Sequence, residues 1–95
     1  MDKPSTVVIK LNYEILNEDH ESLRNYLNSY ILENPKSVTL DLKEVQILTS
    51  IALGALVAFA NRLKGQGIPL ETINVSSKLQ EIIKLVSLDQ ILGIH

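Results

Sequence analysis

Three short runs of β-branched and apolar residues alternate along this chain with three segments of helical periodicity, joined by short polar loops. Strands separated in this way are linked by crossover helices, and such links place the strands parallel. Thr6-Val7-Val8-Ile9-Lys10-Leu11 reads as the first strand. Asn17 then precedes Glu18, Asp19 and Glu21, acidic residues suited to the positive end of a helix dipole, and Leu16 stands as a staple before that cap. Leu23, Tyr26, Leu27, Tyr30 and Ile31 follow at the spacing of one buried face, and Asn34-Pro35 stops the run, so the pattern predicts a helix over 18–33.

Ser37-Val38-Thr39-Leu40-Asp41-Leu42 is the second predicted strand, followed by a polar turn at Lys43-Glu44. Val45 to Leu48 leads to Thr49-Ser50, a hydroxyl pair suited to capping, and a helix is predicted from Ser50 to Lys64. That helix is apolar nearly all round, so it packs on more than one neighbour or shows apolar surface to a partner. Gly65-Gln66-Gly67 ends it. Leu70 to Val75 is the third strand, with Pro69 at its start. Ser77-Lys78-Leu79-Gln80 has the form of a capping box ahead of a stripe of Leu79, Ile82, Ile83 and Val86. Leu88 to Leu92 reads as one more short turn of helix. The expected core joins Leu40, Leu42, Leu53, Leu56, Phe59, Leu63, Ile73, Ile82 and Ile83.

At 95 residues this is one small domain, and 45% hydrophobic with 21% charged residues is a globular composition. Nine basic and eleven acidic residues are interspersed to a net charge of −2, with no basic stripe, so direct nucleic-acid binding is not expected. The longest uncharged stretch, Gln46 to Asn61, would span about 24 Å as a helix, short of the roughly 30 Å of a bilayer core. It predicts a buried segment and no membrane insertion. The absence of cysteine rules out disulfides and thiolate metal sites; with no signal peptide at Met1-Asp2-Lys3-Pro4-Ser5, it suits a cytoplasmic location.

In small α/β domains, function gathers outside the C-terminal ends of the strands. The candidates there are Asp41, the Thr49-Ser50 pair and the Asn74-Val75-Ser76-Ser77 loop. His20 and His95 read as solvated side chains, since neither has an evident nucleophile or metal co-ligand. No Gly-x-Ser-x-Gly elbow or phosphate-binding loop occurs, and Gly65-x-Gly67 follows a helix where such a loop would follow a strand. An enzyme is therefore the least expected class, with no catalytic residue, metal or cofactor. Asp41 reads as a structural aspartate bonding loop amides, because only Glu14 lies near the end of the first strand, where a phospho-accepting aspartate site needs further acids, and the chain is short for five βα units. Ser50 has two readings: a helix N-cap, or an exposed hydroxyl whose phosphate would lie on free N–H groups and the positive end of the dipole.

The run from Ser37 through Asp41-Leu42-Lys43-Glu44-Val45-Gln46-Ile47-Leu48-Thr49-Ser50-Ile51-Ala52-Leu53-Gly54 resembles the core of STAS domains, the anti-sigma factor antagonist family. That family reads apolar strand, Asp-Leu, polar turn, Val, then Asp-Ser-Ser/Ala-Gly-Leu-Gly. Leu63-Lys64-x-x-Gly67, Ile73-Asn74-Val75-Ser76 and Leu85-x-x-Leu88-Asp89-x-Ile91 resemble its later segments, so the likeness spans residues 6–94. Thr49 stands where the motif has its acidic residue, and Ile51-Ala52 where it has Ser/Ala-Gly. The resemblance implies an α/β fold, a mixed, mostly parallel sheet of about four strands covered by helices. It also implies phosphorylation of Ser50 by an anti-sigma factor that is a serine-protein kinase, binding to that partner when unphosphorylated, and release on phosphorylation. The nucleotide belongs to the kinase. The expected partner surface is Asp41, Lys43, Glu44, Thr49, Ser50 and Ile51, with a weak homodimer left open. The alternatives are a constitutive STAS scaffold in a signalling or membrane transport complex, and a small-ligand binder using the strand-end crevice.

Overall fold

The computed structural model describes residues 6–94 (of His20, the backbone alone), so His95 and the His20 side chain lie outside the described residues. Seven elements follow one another: β1 (Thr6–Lys10), α1 (Tyr13–Leu16), α2 (His20–Ile31), β2 (Ser37–Asp41), α3 (Ser50–Gly65), β3 (Leu70–Ile73) and α4 (Ser77–Leu85). The strands form one sheet in the order β1-β2-β3, and both pairings are parallel, with Ile9 beside Leu40 and Leu40 beside Thr72. The described sheet thus has three strands, all parallel, where about four in a mixed sheet were expected.

Strand alternation sorts the side chains. Ile9, Val38 and Leu40 are buried, and they meet Leu23, Leu27, Leu56, Phe59 and Leu63 in one core. Thr6, Val8 and Lys10 point the other way and are exposed, and Ser37, Thr39 and Asp41 beside them are only half-buried. Helices therefore do not seal that face as they seal its opposite. Its polar character fits, with the Thr6 and Ser37 hydroxyls bonded across the two strands at 2.7 Å.

The helix α3 packs on both α2 and β3, which explains an apolar surface wider than a single stripe. Its inner face is Ala52, Ala55, Leu56, Phe59, Ala60 and Leu63. The small alanines let α2 come close, and Phe59 fills the space between helices and sheet. Of the expected core, Leu53 and Ile73 are half-buried, while Ile82 is 41% exposed and packs outside the core. On α4 the buried pair is Leu79 and Ile83, and Val86 also faces out.

Three local expectations are corrected. The helix expected over 18–33 is α2, which starts at His20 because Asp19, rather than Asn17, caps it through Ser22 N–H. A separate short helix that was not expected, α1, precedes it, capped by Asn12 through Ile15 N–H. Leu16 is accordingly the buried last residue of α1. On α4 the cap is Ser76, whose hydroxyl accepts from Leu79 N–H, so Ser77 is the first helical residue and not the start of a capping box. The third strand ends at Ile73, because Asn74 turns into the left-handed region at φ 59°.

Beyond α4 the chain returns along the free edge of β3. Gly93 C=O accepts from Thr72 N–H at 3.2 Å, and the Thr72 hydroxyl donates to Leu92 C=O. This approach requires a glycine: Gly93 has φ 68°, and a Cβ there would stand 2.1 Å from Leu70 O.

Candidate functional site

Parallel strands carry their C-terminal ends, and the N-termini of the helices that follow, to one pole of the molecule. The turn after β2 belongs to this pole. Asp41 closes the strand with its carboxylate accepting from Lys43 N–H at 2.9 Å and from the Asn74 amide at 3.0 Å. The first bond closes an Asx turn, and the second ties the ends of β2 and β3 together. Donation from Asn74, then from Lys43 N–H, holds the Asp41 carboxyl below the usual carboxylate range, and the charges of Lys10 and Lys43 add to the effect. Lys43 and Glu44 lie exposed on the turn beside a shallow hollow of about 260 Å³.

Val45 is buried and anchors the loop, with its N–H on Leu42 C=O. From there Gln46, Ile47 and Leu48 lead to α3. Thr49 is the N-cap, its hydroxyl accepting from Ala52 N–H at 3.1 Å while its carbonyl accepts from Leu53 N–H. With the cap taken by Thr49, Ser50 is the first helical residue, exposed, and its hydroxyl has no hydrogen bond among the described residues. Geometry therefore divides the pair: one hydroxyl holds the helix and the other is free. Ile51 is 64% exposed and Ile47 60%, so two apolar side chains close to Ser50 in the chain stand in solvent.

A cleft of about 280 Å³ opens next to them, between Tyr13, Leu16 and Asn17 on one side and Ile47, Leu48, Thr49 and Ala52 on the other. Tyr13 and Ile47 are the residues of this pole that sequence reasoning missed. An isoleucine in a loop already too short for another strand was a signal for Ile47. Nothing in the sequence pairs Tyr13 with a loop 33 residues away.

The remaining candidates are spread apart. Asn74 is engaged by Asp41, and Ser76 by its cap bond, so these two polar side chains of the strand-end crevice are already partnered. A larger cavity, about 650 Å³, lies at the opposite end, where Lys64, Ile68 and Leu70 meet Ser87 and Ile91. It is broad and shallow, and the length of α3 separates it from Ser50. Among the described residues no cluster of His, Asp and Glu is arranged for a metal ion, and no helix is long and apolar enough to cross a membrane.

What these elements define is a small parallel α/β module whose distinctive pole is the exposed start of α3 with the loop and cleft beside it. The family model for the STAS domain matches residues 2–95, and the chain belongs to that family. STAS domains include anti-sigma factor antagonists and domains of sulfate transporters, and they are generally binding modules that mediate protein–protein interactions. The fold is similar to the NMR structure of the protein TM1081, with a TM-score of 0.83 and 19% identity over 96% of this chain and 74% of that one. It is also similar to the crystal structure of a sulfate transporter family protein from Wolinella succinogenes, with a TM-score of 0.74 and 18% identity over 94% of this chain and 72% of that one. No curated protein sequence matches it significantly.

Proposed function

We propose that this STAS domain is a protein-binding switch in sigma-factor control. Unphosphorylated, it binds an anti-sigma factor that is also a serine kinase, and phosphorylation at Ser50 releases it. The contact surface is Asp41, Lys43, Glu44, Thr49, Ser50 and Ile51, joined by Ile47. The observation that carries this reading is the division of labour at the start of α3. Thr49 satisfies the helix, and Ser50 stands exposed and unbonded, with Ile47 and Ile51 nearby in the chain also exposed. A kinase can reach such a hydroxyl without unfolding anything, and a partner can cover it.

A phosphate there carries about −1.5 to −2 charge units. The helix accommodates it, since the Ser50 and Ile51 amides lack intrahelical acceptors and the dipole is positive at that end. A partner packed against the uncharged Ser50 hydroxyl does not, because it would have to desolvate the new charge. The test is to incubate the purified chain with extract of its source cells, with and without ATP, and to measure intact mass and map the site. Addition of one phosphate at Ser50, only with ATP, supports the switch. An unmodified chain that still captures a defined partner supports a constitutive scaffold instead. That second reading is favoured by Thr49 standing at the motif's acidic position, which deprives a kinase of a charge beside the serine.

A further inference from the structure

The stretch between Val45 and Thr49 is irregular, yet it bears Ile47 and delivers the chain to Ser50. Its two ends are fixed, by Val45 in the core and by the Thr49 cap. Between them a single atom takes two consecutive amides: the Tyr13 hydroxyl accepts from Gln46 N–H at 2.8 Å and from Ile47 N–H at 3.2 Å. A phenol oxygen has one proton and two acceptor sites, so these bonds use its acceptor capacity fully. Tyr13 is itself placed by the Asn12 cap on α1, immediately after β1, and its ring lines the cleft beside Ser50. At 43% exposed, the ring is not a core side chain whose presence is explained by burial.

We infer that Tyr13 is a positioning residue, a latch whose hydroxyl fixes the 46–48 backbone and so sets Ile47 on the same surface as Ser50 and Ile51. Its bearing on partner binding rests on the switch reading above, whereas the latch itself does not. Without the two bonds, both amides turn to water, the loop is tied only at its ends, and Ile47 is free to leave the surface.

The experiment is amide hydrogen exchange by NMR on the whole chain, comparing wild type with Tyr13→Phe, which keeps the ring and deletes the acceptor. Tyr26→Phe serves as a control; its hydroxyl pairs with that of Tyr30 on α2. Exchange at Gln46 and Ile47 should rise about tenfold in Tyr13→Phe, as expected for a lost hydrogen bond. The amides of Val38, Leu40 and Leu56 should keep their wild-type rates, and Tyr26→Phe should leave the loop unchanged. Unchanged exchange at Gln46 and Ile47 would overturn the inference. So would a rise shared equally by the β2 and α3 amides, since that marks loss of general stability. Either result is independent of whether Ser50 is ever phosphorylated.

Discussion

Thr49 and Ser50 are adjacent hydroxyls with similar exposure, and the structure gives them different consequences on truncation. Thr49→Ala removes the side-chain acceptor of Ala52 N–H and leaves that amide to solvent, while the backbone bond from Leu53 N–H to Thr49 C=O survives. Loss of an N-cap costs about 1 kcal/mol, within a range of roughly 0.5–2 kcal/mol. In a domain of this size that lowers the melting temperature by about 4–8 °C. Ser50→Ala removes an exposed hydroxyl without a partner from the first helical position, and alanine is the better helix former. Its effect should stay within about 0.5 kcal/mol of zero, or roughly 4 °C at most. Thermal unfolding followed by circular dichroism on the two variants and wild type measures both numbers under one condition. If Ser50→Ala melts as low as Thr49→Ala, or lower, then Ser50 is itself needed to hold α3. Its hydroxyl is then not spare for signalling.

Gly93→Ala should be strongly destabilising, since the left-handed φ costs about 1–2 kcal/mol and the overlap with Leu70 O about 1–3 kcal/mol more. A wild-type urea midpoint would show that the C-terminal segment does not lie on β3 as described. Asp41 has a depressed folded carboxyl, so its contribution to stability is present above the unfolded value of about 3.9 and is lost as pH falls through the folded one. Asp41→Asn should therefore flatten the acid limb of stability against pH, and an unaltered limb would refute the pairing with Asn74 and Lys43. Ile51→Glu should abolish partner binding at an unchanged melting temperature, because the side chain is already 64% exposed; loss of the fold would make Ile51 a core residue.

Most of the fold was legible because it depends on patterns that act locally. Val38 and Leu40 alternate with Thr39 and Asp41, and Leu56, Phe59 and Leu63 recur at helical spacing, so the buried sets of β2 and α3 follow from sequence. The misplaced caps at Asn17 and Ser77 have a different origin. Asp19 and Ser76 stand one or two residues from equally good capping side chains, and only tertiary packing chooses between them. Ile82 reads as core on the α4 stripe, but the stripe is wider than the surface available to cover it. At the site, Asp41, Thr49 and Ser50 were singled out from strand-end and helix-start positions, and Ile51 from the family resemblance. What sequence did not reveal was which hydroxyl caps α3, and that Tyr13 holds the loop. The first is decided by a φ of −72° and ψ of 160° at Thr49, the second by a hydrogen bond across 33 residues.

The most direct test is the affinity of one defined partner for the chain in its unmodified form and after enzymatic phosphorylation at Ser50, by calorimetry at one ionic strength. Desolvating or repelling the phosphate at a cost of about 2.8 kcal/mol weakens binding a hundredfold. The account predicts a loss at least of that order, with the melting temperature of the free domain little changed. Equal affinity for the two forms would contradict it, and the surface around Ser50 would then serve a partner that does not read its phosphorylation.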